Sequence, residues 1–357
     1  MAIAVPGVAF AVVLGSTLFL RRHFGGYGRI QGWQGMVTAA VLCTGIGLAA
    51  YAVWPLPRGI DGLCALDGGA PAALAPLARR PETWAAAADA AVAAAVFLPV
   101  GLLARYRYRR GLPSTLAIAA LLAGGIELVQ GSALLGAYPC PYRVAATGDI
   151  VLACAGAVLG WVLGGAAAAL LPRAWPGAIA DLMPPGLSRR FLGHALDVAM
   201  WWYGAMLSAG VAVAAGVVPP GQAGQVRAVL LLALAVAFGV LVPLLRTDRS
   251  APGRAAVGVA LAGRGRPSPA ARWRAALRGA LLYTPAAVLF AVGLPWWAAA
   301  VWALHGSCAL VRRDQAGLFD LITGTRVVTG SALTGRLPDR LIRFTPARTP
   351  GAPANTA

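Results

Sequence analysis

The chain has 357 residues, of which 59% are hydrophobic and 12% are charged, and its mean hydropathy is +0.71. This composition excludes an ordinary soluble globular protein and predicts an integral membrane protein. The net charge of +18 would favour nucleic-acid binding in a soluble protein, but here the arginines lie between long apolar runs, where basic residues set membrane topology. We therefore expect no nucleic-acid partner.

Seven apolar runs are each long enough to cross the hydrocarbon core of a bilayer, which takes about 20 helical residues. They cover residues 2–20, 36–54, 84–103, 116–135, 150–171, 192–218 and 226–245. No basic segment precedes the first run, and Arg21 and Arg22 follow it. The first run is therefore predicted to be a membrane span and not a cleaved signal peptide.

A further apolar stretch at residues 279–311 is too long for one span and short for two. Pro295, Trp296 and Trp297 lie near its middle, where proline interrupts a helix and tryptophan favours the membrane interface. With the N-terminus outside, a hairpin here leaves 25 arginines inside and 5 outside, whereas a single span gives 18 and 12. Because basic residues accumulate inside, the sequence predicts an all-α membrane protein of nine spans with a cytoplasmic C-terminus.

Glu127 lies in the middle of the apolar run 116–135. A charged residue at the bilayer centre costs roughly 2.5–3.5 kcal/mol on insertion scales, so it persists with a partner or a purpose. Gln130 follows on the same helical face, Arg143 and Asp149 come next, and Asp89 lies early in the third run. These residues are predicted to form an outward-facing polar site. The alternative is that Glu127 is a paired residue that only stabilises the bundle.

Glycines at four-residue spacing mark one face of the run 150–171. Gly156, Gly160 and Gly164 expose bare backbone there, which favours close approach of another helix. The alternative is that composition alone scatters these glycines, since the chain has 45 of them.

The positions of the cysteines limit which disulfides and metal sites the chain can form. Cys64 and Cys140 both fall in predicted outer loops, where an oxidising exterior permits a disulfide. Two unrelated thiols are the alternative. No cysteine or histidine cluster has metal-ligand spacing, so we expect neither a metal nor a cofactor.

Composition divides the chain into five parts. Prolines and arginines mark a linker, and a segment rich in proline, threonine, arginine and alanine predicts a disordered tail. The parts are an additional N-terminal span with a basic cytoplasmic loop (1–35), a first transmembrane domain (36–171), a cytoplasmic linker (172–190), a second transmembrane domain (191–330) and a basic tail (331–357).

Three strings of the first half, at 97–101, 125–130 and 143–160, resemble in order and content the VanZ family, named after a glycopeptide-resistance accessory membrane protein. The resemblance covers about residues 36–170. Two asparagines usual in the family are replaced by Ala93 and Ala153. The resemblance implies a multi-pass protein of the bacterial plasma membrane that reduces the action of glycopeptide or lipoglycopeptide antibiotics such as teicoplanin.

The second half resembles the RDD family, membrane modules named for one arginine and two aspartates, over about residues 187–329. The family usually has histidine before the second aspartate and lysine in the loop motif, where this chain has Phe319 and Arg254. His194 lies one turn before the first aspartate and is expected to be an interfacial residue. The residues that carry the resemblance are Arg190, Asp197, Asp320 and Thr325.

Two functions remain open at this point. One is the VanZ-like role, with a glycopeptide or cell-envelope molecule as ligand, and the other is the ion or proton-coupled transport implied by the RDD resemblance. No catalytic motif is recognisable, so no enzyme is expected. The basic segment Arg272–Arg278 predicts an interfacial helix that contacts anionic lipids at the cytoplasmic face.

Overall fold

The computed structural model describes residues 3–53, 84–136, 147–175, 177–265 and 268–341. Within these ranges the chain forms fourteen α-helices and two β-strands. The helices are α1 (Ala4–Tyr27), α2 (Gly32–Val53), α3 (Trp84–Tyr106), α4 (Leu112–Gly131), α5 (Ala133–Gly136), α6 (Thr147–Leu170), α7 (Leu187–Ala214), α8 (Ala223–Val236), α9 (Val242–Leu245), α10 (Pro252–Ala256), α11 (Arg272–Ala291), α12 (Pro295–Val311), α13 (Leu318–Thr323) and α14 (Gly330–Thr334). The strands are β1 (Val259–Gly263) and β2 (Thr325–Thr329).

Six helical segments in the described part are long and apolar enough to cross a membrane, by length and composition. A helix suits a bilayer because it satisfies its backbone hydrogen bonds internally. The six are Val5–Tyr27, Gly32–Val53, Leu112–Gly131, Thr147–Leu170, Leu187–Ala214 and Pro220–Leu245. The predicted count of nine and the predicted orientation of the termini are therefore not confirmed. At the expected hairpin the helix does break, between α11 and α12, with Pro295 opening α12.

One end of the helical bundle, here called the basic end, holds the arginine-rich connections. It comprises residues 28–31, 107–111, 171–175, 177–186, 246–265, 268–271 and 312–341. Arg107 is buried there, with its Nη2 2.9 Å from Nε2 of His23 and its Nη1 donating to the carbonyl oxygen of Ala174. The indole of Trp33 donates to the Tyr106 hydroxyl at 2.6 Å. These bonds join α1, α2 and α3 to the segment 171–186.

The helices α3 and α6 pack with their backbones in contact. A Cβ on Gly156 would lie 1.9 Å from the carbonyl oxygen of Ala94, and one on Gly160 would lie 1.9 Å from that of Leu98. Gly164 continues the same face, and Gly101 on α3 is as close to the Ala157 carbonyl oxygen, at 1.8 Å. Close backbone approach of this kind replaces side-chain packing with direct dispersion contact between helices.

The protein is mostly helical but not all-α, because β1 and β2 pair as an antiparallel two-stranded sheet. Val259 pairs with Thr329 and Gly263 with Thr325. The apolar side chains of the sheet, with Leu20 of α1 and Leu196 of α7, form one buried cluster. The strands follow left-handed glycines, Gly258 and Gly324, a conformation that glycine adopts without strain.

The predicted disordered tail is folded over residues 331–341. Thr329 caps α14 by accepting a hydrogen bond from the amide of Ala332 at 3.2 Å. The amides of Asp339 and Arg340 then donate to the carbonyl oxygens at 25 and 26 in the last turn of α1, at 3.1 and 3.0 Å. The prediction was wrong for 331–341 because backbone bonds to a distant helix, and not local apolar pattern, order this segment.

Candidate functional site

Glu127 and Gln130 lie side by side on the buried face of α4. Glu127 is 8% exposed and Gln130 is fully buried. The amide nitrogen of Gln130 donates to the carbonyl oxygen of Tyr51, near the end of α2, at 3.2 Å. Its Oε1 is buried without a hydrogen-bond donor among the described residues. An acceptor with free lone pairs therefore lies next to a carboxylate.

Asp149 lies at the same end of the bundle as these two residues. Helix α4 starts at the basic end, and Glu127 lies about 22 Å along its axis at 1.5 Å per residue. Helix α6 packs against α4 and runs back to the basic end, so Asp149 in its first turn is at the opposite end. Neither Glu127 nor Asp149 lacks an interaction partner.

Four other residues predicted for this region lie outside what the structure describes. Arg143 and the two cysteines of the expected disulfide are in the ranges 54–83 and 137–146. Asp89 is within α3, but its side chain is not among those described. Of the predicted polar residues, the described part therefore places Glu127, Gln130 and Asp149 at the same end of the bundle, and the site itself stays a prediction.

Between this polar end and the basic end, the interior of the bundle formed by α3, α4 and α6 is apolar. Ala93 and Ala153, which stand where asparagines are usual in the VanZ family, are 2% and 1% exposed. Ala153 packs in one cluster with Phe97, Ala123 and other apolar side chains. Among the described residues, this apolar interior separates the polar end that holds Glu127 from the buried Arg107 and His23 at the basic end.

A second polar cluster forms in the other half around Asp197. This carboxylate is fully buried on α7; its Oδ1 accepts from the amide of Gly253 at 2.6 Å and its Oδ2 from the Tyr283 hydroxyl at 2.7 Å. The Arg254 guanidinium lies 5.7 Å from the centre of the Tyr283 ring. Asp197 therefore links α7 to α10 and α11.

Asp320 forms a buried ion pair with Arg278. Its other oxygen accepts from the amide of Gly317 at 3.0 Å and so caps α13. Burial acts to raise the pKa of Asp320, but the Arg278 charge and the hydrogen bonds outweigh it and lower that pKa below 3.8. Arg278 was expected to contact lipid with its neighbours; it is instead 2% exposed, because this face of α11 is covered by α13.

The remaining predicted residues of the second half lie around this pair. Arg190 donates from Nη1 to the carbonyl oxygen of Gln315 at 2.5 Å, so it holds the turn that precedes α13. Thr325 is buried at the start of β2 with its hydroxyl 3.0 Å from that of Thr323. Arg190 and Asp320 thus meet at one turn, whereas Asp197 binds Tyr283, further along α11.

Two histidines pack on the helices of this cluster. The His194 ring lies 5.3 Å from that of Tyr283 and 4.8 Å from that of Trp302, and neither ring nitrogen has a hydrogen-bond partner among the described residues. The His305 ring stacks on Phe319 at 4.9 Å and accepts the Phe319 amide at 3.1 Å. A histidine ring therefore packs directly against Phe319.

Sequence reasoning missed Tyr283 and assigned Arg278 to a lipid surface. The available signal was the one used for Glu127, namely a polar group on a helix that is otherwise apolar. Arg278 immediately precedes the apolar stretch 279–311, and Tyr283 lies five residues further on. We found no group of three or more histidine, cysteine or acidic side chains suited to a metal in the described ranges.

The comparison that decides the first half is with protein families. Residues 42–167 match the VanZ/LLP1 family model. The match covers the second half of α2, all of α3 and α4, and α6 up to residue 167, and so contains Glu127, Gln130 and Asp149. The VanZ-like resemblance is thereby confirmed over this VanZ/LLP1 domain.

The comparisons give no evidence for an RDD domain beside the VanZ/LLP1 domain. No curated protein matches the chain. No solved structure matches it either. Any inference of function from similarity to known proteins therefore rests on the VanZ/LLP1 domain.

Proposed function

We propose that this protein is a VanZ-like component of the bacterial plasma membrane that lowers the action of glycopeptide or lipoglycopeptide antibiotics, of which teicoplanin is the test case. The observation that carries the proposal is the VanZ/LLP1 match over the helices that hold Glu127, Gln130 and Asp149 at one end. No chemical step is invoked. The protein acts by binding.

The polar end faces outward in this proposal. Basic connections accumulate on the cytoplasmic side of membrane proteins, and the basic end is opposite to Glu127 and Asp149. An outward position suits a ligand at the cell surface, either the antibiotic or the envelope molecule that it targets. Whichever it is, we expect a ligand group rich in N–H donors, because the polar residues at this end carry the carboxylates of Glu127 and Asp149 and the amide oxygen of Gln130.

Deletion of the gene in its host tests the proposal, scored as the inhibitory concentration of teicoplanin and of a lipoglycopeptide. The deletion should sensitise the host, and the wild-type gene should restore resistance. An unchanged inhibitory concentration would overturn the proposal. Salt and pH stress on the same strains separate this role from ion exchange.

Complementation with variants tests the site itself. Glu127→Gln removes the carboxylate with little change of shape and should fail to restore resistance at an equal level of folded protein. Asp314→Asn is the matched control, because Asp314 is exposed at the basic end. Loss of folded Glu127→Gln protein would support the alternative, that Glu127 only stabilises the bundle.

The second candidate function is ion or proton-coupled transport of the RDD type. It is favoured by the buried carboxylate of Asp197 and its Tyr283 and Gly253 donors inside the second half. Proteoliposomes with an internal pH dye should then show cation-dependent proton flux. The flux should be lost in Asp197→Asn, and absence of flux in the wild type removes this candidate.

A further inference from the structure

A cavity of about 790 Å³ lies at the basic end, outside the VanZ/LLP1 domain. Its walls come from four distant parts of the chain: the last turns of α1, the pair Asp181 and Arg189, the residues in and around α10, and the segment from α14 to residue 340. The volume is within the range of small-molecule sites, about 300–1,000 Å³. The segment 331–341, folded against α1, forms one wall.

The charges that line this cavity do not balance. Each of its three aspartates already has an arginine partner. The pairs are Asp181–Arg189 at 2.6 Å, Asp248–Arg246 at 2.5 Å and Asp339–Arg336 at 3.0 Å. Three further lining arginines, Arg21, Arg22 and Arg340, have no carboxylate partner in the described part of the chain. The cavity thus presents three guanidinium groups whose charge nothing there compensates.

The fold places these three guanidinium groups on one surface, because the segment that carries Arg340 is bonded to α1. Arg340 lies with its charge 5.0 Å from the Tyr27 ring, and its amide is bonded to α1. Arg21 and Arg22 are in the last two turns of α1, and they are exposed. Two elements 300 residues apart therefore bring their free charges to one concave surface.

We infer that this cavity binds a phosphate-bearing anion. Guanidinium groups recognise phosphate through paired N–H donors, and the hydroxyls of Thr247 and Ser331 on the wall can donate to further oxygens. The lining also includes Leu18, which is 50% exposed one turn before Arg21 on a helix apolar enough to cross the membrane. An anionic lipid headgroup, with its acyl chains along α1, and a soluble phosphate compound share this chemistry.

The test uses the purified full chain in nanodiscs and counts retained lipids by native mass spectrometry. Nanodiscs contain phosphatidylcholine alone or mixed with phosphatidylglycerol. The triple variant Arg21→Gln/Arg22→Gln/Arg340→Gln should retain phosphatidylglycerol at least about tenfold less well than the wild type, since basic residues near a membrane surface attract anionic headgroups. The matched control is Arg110→Gln/Arg264→Gln/Arg313→Gln, which loses the same charge from exposed arginines outside the cavity.

Each outcome decides the inference. A selective loss in the triple variant supports a lipid headgroup in the cavity. If no lipid is retained but inorganic phosphate binds the wild type and not the triple variant, the phosphate site stands with a soluble source. An equal loss in the control, or no loss in either, would overturn the inference. The single variant Arg340→Gln, at an exposed side chain, repeats the test if the triple variant does not fold.

Discussion

Replacement of Gly160 by alanine would test the backbone contact between α3 and α6. The added Cβ would lie 1.9 Å from the carbonyl oxygen of Leu98 and 3.0 Å from the amide nitrogen of Leu102. Ordinary contacts of a Cβ begin at 3.4 Å, so the helices must separate locally by about 1.5 Å, the difference between the first distance and this limit. Both clashing atoms are backbone, and neither can rotate away.

The net effect on stability follows from two opposed terms. Overpacking of a dense interface costs about 1–3 kcal/mol, and the upper part of this range applies because the backbone must move. Alanine offsets about 0.5–1 kcal/mol of that cost, since it restricts the unfolded chain and favours helix. We expect Gly160→Ala to lower the free energy of unfolding by about 2 kcal/mol.

Gly124→Ala is the matched control. A Cβ on Gly124, in the neighbouring helix α4, would meet nothing within 4 Å, so the same chemical change should be neutral or stabilising there. The assay is the thermal midpoint of the monodisperse peak of the detergent-purified chain after heating. A midpoint for Gly160→Ala equal to or above that of Gly124→Ala would refute the close contact.

Three further predictions concern the second half. Tyr283→Phe leaves Asp197 without one of its donors and should cost about 1–3 kcal/mol in the same heating assay, whereas Tyr203→Phe, at a hydroxyl with no partner among the described residues, should not. Arg278→Gln leaves the buried carboxylate of Asp320 unpaired and should cost about 3–5 kcal/mol, measured as loss of folded protein. Because the pKa of Asp320 is lowered on folding, its contribution to stability is complete above pH 3.8 and is lost as the pH falls through the folded pKa; thermal midpoints below pH 4 should therefore fall more steeply in the wild type than in Asp320→Asn.

The first half illustrates what sequence can predict about such a site. The lengths of the apolar runs predict where helices lie, and alternating direction then places the end of α4 and the start of α6 at one level. Glu127, Gln130 and Asp149 follow from that rule with no knowledge of packing. The VanZ-like resemblance, predicted over 36–170, agrees with the family match at 42–167 for the same reason: its motifs are local strings.

The second half contains three features that local sequence patterns do not predict. Strands β1 and β2 have five residues each and are separated by more than 60, so no local period reveals their pairing. Arg278 carries the same basic signal as its neighbours, and only the packing of α13 on α11 decides that it is buried. Residues 331–341 have no apolar pattern, and their order comes from hydrogen bonds to the distant α1.

The packing of α1 has a consequence for how the protein is made and dissected. The neighbours of this helix, α7, α10 and the segment around Arg340, are synthesised more than 150 residues after it. Cleavage of the chain within 171–186 would therefore leave α1 on the fragment that lacks its packing partners α7 and α10. The second half, expressed from residue 187, should need α1 supplied in trans or fused to it by a linker before it can be isolated intact.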